Sequence, residues 1–504
     1  MLDLIYKLFE KFNSSQIRYC HWKSNAFLNE ALNGEGDLDI LVDEADKDKC
    51  VSIMKELFFI KFHDSFFSFS DLVCHYYGLD EKSGRIVHVH LYYQIITGGT
   101  LCKEYHLEIE EMLFQNIRHD GLVKVPSKAA ELLLLTIRAV LKQGLHITAI
   151  IFARKERPCI KKEFNWLADE NAVAKAIDLS RKWLPSVTSE FIAQCIESMH
   201  SPHRFAVLER AVLNRRMKIS LSGYLRYSYL KTYVCSHFLL GKQAYRKLRG
   251  GKKWKTPYDG RGAVVAFIGP EATGKSTLAE EINQWLSKNL LVYDVHAGKP
   301  PSTIFTFLPN SIMPVLRKIS GGLRTSKLDH KQQNIGSRRL GFSASLIYSL
   351  RALMVAIDRL FLLKRVSRMA AKGAIIICDR YPVNIIGAMD SPRLDHARLY
   401  NLPFFCKLAE AERWIYAQIP PPAIVFSLTV SPEIAVKRNE NRIKKGKEDA
   451  EYVRSRHLQS EKLHYAGKNA HELNTDEGLS DTILKVKKVF WEDMVLAKNH
   501  KKGI

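Results

Sequence analysis

Gly269-Pro-Glu-Ala-Thr-Gly274-Lys275-Ser276-Thr277 is the stretch that decides how the second half of this 504-residue chain is read. An apolar run, Ala263 to Ile268, precedes it, and a helical spacing of apolar residues, Leu278, Ile282, Trp285 and Leu286, follows. Strand, glycine turn and helix start in that order are the context in which G-x-x-x-x-G-K-[ST] works as a phosphate cradle. The glycines let backbone N–H groups close around phosphate oxygens, and the helix N-terminus adds partial positive charge. Gly269, Glu271, Ala272, Thr273, Gly274, Lys275, Ser276 and Thr277 are then expected to line a nucleoside triphosphate. Lys275 would reach the terminal phosphates and Ser276 would ligate Mg²⁺, so ATP and Mg²⁺ are the expected cofactors.

Outward from this loop the chain alternates apolar runs with helical patterns, which predicts an α/β domain: a parallel sheet with helices on both faces. Expected strands are Leu291 to Val295, Ala374 to Cys378, Ala423 to Val430 and Glu472 to Asn474, with a C-terminal helix after Ser480. Ser431-Pro432 reads as an N-cap followed by proline at the first helical position. Ligands of such sheets collect beyond the carboxyl ends of the strands. That rim would hold the glycine loop, Gly298-Lys299, Asp379-Arg380 and Asn474-Thr475.

The ordered set resembles the thymidylate kinase-like branch of P-loop kinases over roughly residues 261 to 497. It consists of an acid at Glu271 in the loop, Asp379-Arg380-Tyr381 after the third strand, and Ser431 to Arg442 as a helix entering a lid. The resemblance implies a phosphotransferase in which Arg438 and Arg442, four apart on one helix face, close over the transferring group. Asp379 would orient a metal-bound water or accept a proton, Arg380 would clamp an anionic acceptor, and Glu271 would accept a hydrogen bond from an acceptor hydroxyl. The loop His296-Ala-Gly-Lys299-Pro-Pro carries a lysine where the family places an arginine. Similar loops occur in thymidylate kinase-like proteins of bacterial surface-polysaccharide gene clusters. The small-molecule phosphate acceptor is therefore expected to be a nucleoside monophosphate or a sugar or other hydroxyl compound.

The amino-terminal third has a second signature. A strand, Ile17 to His21, leads into Trp22-Lys23-Ser24-Asn25, and a dozen residues later comes Asp37-Leu38-Asp39-Ile40-Leu41-Val42. This pattern resembles the nucleotidyltransferase fold of the polymerase-beta superfamily and implies an α+β domain. Residues i and i+2 of a strand share a face, so Asp37 and Asp39 are candidate metal ligands. The neighbouring strand expected to carry a third carboxylate is Arg85 to Tyr92, and it offers His88 and His90 instead. Either the pair ligates a metal or both are satisfied strand histidines.

Composition bounds the rest. Of the formal charge of +23, the segment Arg204 to Arg261 supplies +13, with fifteen Lys/Arg against Glu209 and Asp259. Tyrosines interleave it, so nucleic acid or an anionic membrane surface is an expected partner, and a solvated linker is the plain alternative. The expected organisation is residues 1–200, a basic connector 201–260 and a kinase-like domain 261–504. Nine cysteines occur without a C-x-x-C pair, which argues for reduced thiols and a cytoplasmic setting. Met1 to Ser15 reads as an amphipathic helix rather than a leader, and Leu132 to Phe152, carrying Arg138 and Lys142, as a buried helix rather than a span. Two further functions compete with the small-molecule kinase: an enzyme modifying a nucleic-acid 5′-hydroxyl or tRNA, and a low-turnover NTP-binding regulator.

Overall fold

The computed structural model describes residues 1–62, 73–99, 102–142, 158–200, 206–248, 262–298, 300–303, 306–307, 341–383, 390–395, 397, 399–441, 450–460 and 469–499. The chain divides into two compact units, Met1–Thr256 and Pro257–Ile504.

In the first unit, β1 (Tyr19–His21), β2 (Asp37–Val42), β3 (Ile60–Phe62), β4 (Val73–Asp80) and β5 (Arg85–Tyr92) form one sheet in the order β1-β2-β5-β4-β3. β2 and β5 are parallel, with Asp37 opposite His88 and Asp39 opposite His90; the remaining pairs are antiparallel. Alternation sorts the side chains. Leu38, Ile40, Val42, Val87 and Val89 pack under the helices Asp3–Ser14 and Lys47–Glu56, whose apolar stripe includes the fully buried Phe9 and Phe12. Each such ring contributes about 1.5–3 kcal/mol of burial. Asp80 at the end of β4 accepts from Leu4 N at 2.9 Å and so satisfies an amide of the first helix turn. The opposite sheet face carries Asp37, Asp39, His75, His88 and His90, as the period of two requires. Short hairpins β6 (Ile95–Thr97) with β7 (Tyr105–Leu107) and β8 (Ile117–Asp120) with β9 (Val123–Pro126) lead to the helix Lys128–Lys142.

That helix is buried along most of its length and centres a cluster with Glu170–Trp183, Ser189–His200 and Ala206–Ser220. The stretch expected as a connector is therefore not a free linker over its described part. Leu213, Met217 and Leu221 join the apolar core, and Asn214 Nδ2 donates to Val140 O and Leu141 O at 2.8 and 3.0 Å. The helix Tyr229–Leu248 follows, with Ser236 Oγ 3.0 Å from Cys102 Sγ. In the helix Ala206–Ser220, Arg215 and Arg216 are exposed while Leu213 and Met217 face the core, a sorting that a net-charge count does not register. Residues 249–261, with their lysine run, lie outside the described residues.

The second unit is built on β10 (Val264–Ile268), β11 (Val292–Val295), β12 (Ile375–Asp379), β13 (Ile424–Thr429) and β14 (Ala470–Asn474), all parallel, in the order β11-β12-β10-β13-β14. The helices Lys275–Ser287 and Leu479–Asn499 meet through Trp285, 6.0 Å from Phe490 and 6.5 Å from Trp491. The helix Phe342–Ala371 sets Leu363, Val366 and Ala370 against Val264, Ala266, Ile376 and Cys378. This is the expected α/β domain with a P-loop after its central strand. No helix among the described residues is long and apolar enough to cross a membrane.

Candidate functional site

The glycine loop in the second unit owes its shape to two positions. Gly269 has φ 141°, and a Cβ there would lie 2.4 Å from Leu428 O on β13. Gly274, at φ 89°, caps the helix Lys275–Ser287. Both conformations favour glycine. Ala272 also takes a positive φ, 62°, and is buried against Val430, Ala435, Val436 and Val453. The buried Lys275 Nζ donates to Gly269 O at 3.0 Å, to Pro270 O, and to Thr273 Oγ1 at 3.3 Å. Burial pushes its ammonium down to about 8. Thr273 Oγ1 in turn donates to Pro270 O at 3.0 Å. Thr277, on the exposed side of the helix start, follows Ser276.

Ser276 Oγ donates to Asp379 Oδ2 at 2.8 Å, joining the loop to the carboxyl end of β12. His296 Nδ1 lies 3.4 Å from the same oxygen. Asp379 Oδ1 is buried with no hydrogen-bond partner among the described residues. An orphaned carboxylate oxygen beside a serine hydroxyl is the donor set a hard divalent cation takes, so the residues fit Mg²⁺.

Next to Asp379, Arg380 adopts φ 88° and its Nη1 lies 3.6 Å from Asp390 Oδ2. Gly298 makes room for it: a Cβ there would sit 2.8 Å from Arg380 Cδ. Asp390 is shared with Arg359, a buried guanidinium from the middle of Phe342–Ala371, through Oδ1 at 3.1 Å. Arg359 also donates to Ala297 O at 3.0 Å, Asp390 O at 2.6 Å and Gly298 O at 3.3 Å. One arginine thus ties the loop after β11 to the loop after β12. The pair Asp358-Arg359 within the otherwise apolar run Leu353 to Leu363 is itself a sequence signal that buried partners await.

The helix Pro432–Glu440 begins as expected, with Ser431 before it and proline in its first turn, but Ser431 Oγ donates to Asp476 at 3.1 Å rather than capping the helix. Arg438 is not held over the loop mouth. Its Nη2 donates to Thr475 O at 2.7 Å, and its Nη1 to Thr475 Oγ1 at 3.1 Å and Ala272 O at 3.5 Å. These carbonyls fix Arg438 as a brace between the P-loop and the end of β14. The expected pairing with Arg442 is not seen, because that residue and Lys299 lie outside the described residues. His457 from the helix Ala450–Ser460 adds a second brace, Nε2 to Glu271 O at 2.8 Å.

The first unit gathers a separate constellation. His88 Nδ1 lies 2.7 Å from Asp37 Oδ1, His90 Nδ1 lies 3.1 Å from Asp39 Oδ1, and His75 Nδ1 lies 3.1 Å from His88 Nε2. Lys23 Nζ pairs with Asp39 at 2.9 Å and donates to Tyr92 OH at 3.1 Å. Burial holds the His75 and His88 imidazoles neutral, His75 down to about 2, while the histidine partner keeps the Asp37 carboxyl ionised. Lys103 is pushed down to about 7 by burial and the nearby Lys23. The turn upstream is closed: Ser24 N donates to Glu163 at 3.0 Å, while Asn25 N and Nδ2 each donate to Glu131 at 2.9 Å. Burial pushes the Glu131 carboxyl up to about 7.

Two solved structures similar to this chain are thymidylate kinases. That of Candida albicans is 18% identical, with a TM-score of 0.28, over 48% of this chain and 95% of its own. That of Ehrlichia chaffeensis is 17% identical, with a TM-score of 0.25, over 46% of this chain and 99% of its own. No protein-family model and no curated protein matches the chain.

Proposed function

We propose that the second unit is a Mg²⁺- and ATP-dependent phosphotransferase acting on a small acceptor. The observation that carries this reading is the 2.8 Å bond from Ser276 to Asp379 beside a buried Lys275. It brings a phosphate-binding cation and two oxygen ligands for a metal to one rim. Bound Mg²⁺-ATP would supply the transferable phosphoryl group and a charge-neutralising cation. Lys275 would exchange its loop carbonyls for phosphate oxygens. Arg438 and His457 hold the Ala272 and Glu271 carbonyls, and Arg442 is proposed as the cation that compensates charge developing on the transferring group.

Arg359 is committed to Asp390 and to the loop carbonyls, whereas Arg380 is partly exposed and meets Asp390 only at 3.6 Å. A guanidinium so loosely held favours an acceptor bearing a phosphate, a nucleoside monophosphate first, over a neutral sugar. Nucleotidyl transfer is not part of the reading, because β5 sets His88 and His90 beside Asp37 and Asp39 where that chemistry would take a third carboxylate.

Product formation from labelled ATP with nucleoside monophosphates, then sugars, is the test. Lys275→Ala should abolish transfer with the fold unchanged, a loss on the order of several kcal/mol in the transition state. Near wild-type turnover in the folded variant refutes the assignment. A second partner is favoured by the helix Tyr229–Leu248, which exposes Tyr229, Leu230, Tyr233, Val234 and Phe238 beside Lys231. Apolar and basic groups at that spacing suit an anionic lipid surface better than nucleic acid. Co-sedimentation with anionic but not neutral vesicles supports it; salt-sensitive polynucleotide binding without vesicle binding reverses the choice.

A further inference from the structure

We propose that His75, His88 and His90 form a binding site for a transition-metal dication of the zinc class, with Asp37 and Asp39 as the residues that orient the ligands rather than the ligands themselves. One ring nitrogen from each histidine lies within 4.8 Å of the others. The His75 Nδ1 to His88 Nε2 separation, 3.1 Å, is close to the roughly 3.3 Å between two nitrogens bound tetrahedrally to one Zn²⁺.

The carboxylates supply the stronger argument. An ionised carboxylate only accepts, so the contacts of Asp37 with His88 Nδ1 and of Asp39 with His90 Nδ1 place the hydrogen on Nδ1 of both rings. Each ring is thereby left with its lone pair on Nε2. A carboxylate that fixes the tautomer of a histidine and raises its basicity is what metal-bound histidines recurrently have behind them. Here the arrangement occurs twice, in register, because β2 and β5 run parallel with Asp37 opposite His88 and Asp39 opposite His90. The third ring arrives from β4, where His75 pairs with His90 across the antiparallel ladder. With the His88 lone pair on Nε2, His75 Nδ1–H is the donor of their 3.1 Å contact, so His75 binds a metal through Nδ1 only by shifting its hydrogen to Nε2. Ring centroids lie 4.5 Å apart for His75 and His90 and 4.3 Å for His88 and His90, so the three rings form one contiguous cluster.

Three imidazole nitrogens select Zn²⁺, Co²⁺ or Ni²⁺ over Mg²⁺, which prefers oxygen. The charge of the dication is met by Asp37 and Asp39, while Lys23 and Lys103 stand on the same side and limit the surplus.

The test uses the full chain, stripped with a chelator and titrated with Co²⁺ in the absence of nucleotide. Saturable visible d–d absorption at about one Co²⁺ per chain is expected, displaced by Zn²⁺. His75→Gln, His88→Gln and His90→Gln should each abolish or redraw the spectrum. Asp37→Asn should keep the stoichiometry and the band shape while weakening affinity about 10- to 100-fold. A wild-type chain that binds no Co²⁺ stoichiometrically overturns the proposal whatever the variants do. So does binding that survives all three histidine changes, or a site that prefers Mg²⁺ and is lost only in Asp37→Asn and Asp39→Asn. Near-UV circular dichroism decides which variants are folded.

Discussion

Glu131 offers a pH experiment whose sign follows from its surroundings. Its carboxyl is buried on the helix Lys128–Lys142, accepts from Asn25 N and Nδ2, and has its pKa raised from 4.5 to about 7. The folded chain therefore holds a proton that the unfolded chain releases between these values. Stability from this group is complete below about pH 4.5 and is lost as pH rises through about 7. A displacement of 2.5 units, 7 minus 4.5, at 1.36 kcal/mol per unit gives a change of about 3 kcal/mol. Glu131→Gln is neutral throughout and lacks this slope. It carries a pH-independent cost of about 1 kcal/mol for a hydrogen bond the amide cannot accept. His21, His75 and His88, all pushed down by burial, titrate in the opposite sense. They do so equally in both proteins, so the difference isolates Glu131. The assay is urea unfolding of the full chain read by mass-spectrometric labelling of Cys20, a fully buried thiol in β1. The stability of wild type minus that of Glu131→Gln should fall by about 3 kcal/mol between pH 4.5 and about 8. A difference flat to within about 0.5 kcal/mol refutes the assignment of a raised carboxyl.

Three further outcomes bear on the second unit. Asp379→Asn should raise the Mg²⁺ concentration needed for half-maximal turnover and lower kcat by about 100-fold or more, since an amide oxygen carries no charge; an unchanged Mg²⁺ titration removes Asp379 from the metal position. Arg380→Ala should raise KM for a phosphorylated acceptor more than KM for ATP. With a neutral hydroxyl acceptor kcat falls instead, and unaltered kinetics take Arg380 out of the site. Gly269→Ala places a methyl 2.4 Å from Leu428 O at φ 141°, so ATP affinity should drop and the unit should lose about 1–3 kcal/mol of stability. Wild-type nucleotide binding and Tm would contradict that geometry.

The P-loop was legible because its chemistry lives in backbone shape, which glycine spacing announces locally. The strands were legible for a similar reason and were misplaced by only one or two residues, as at Ile375–Asp379, where the aspartate proves to be the last strand residue. The parallel partner of Asp37 and Asp39 was also readable, since Arg85 to Tyr92 has the right alternation. What sequence did not reveal are contacts made across elements by long side chains. Arg438 is expected from sequence to close, with Arg442, over the transferring group, yet its guanidinium spans from Ala272 to Thr475. Arg359 carries a local signal of burial, but its partners come from two loops brought together only by the sheet and cannot be named from its own segment. His75 went unnoticed because only the β4–β5 hairpin register puts it beside His90. The basic stretch after residue 204 misled in the other direction: its charge is conspicuous, while its few apolar positions, Leu213 and Met217 among them, decide where it packs.

The strand order of the second unit also sets a timetable. β10 pairs with β12 through Val264 opposite Ile376, a separation of 112 residues (376 minus 264), and with β13 through Val265 opposite Ile424. Neither neighbour exists when the P-loop strand leaves the ribosome. At roughly 5–20 residues per second, β10 waits on the order of 6 to 22 seconds for its first partner, an apolar strand with both edges open. The first unit, whose sheet and helical cluster are closed within Met1–Thr256, is by then fully synthesised. It supplies a folded body on the same polypeptide, while the P-loop strand is exposed to pairing with other chains. Synthesis rate, chaperone supply and temperature should therefore govern the yield of the second unit far more than that of the first.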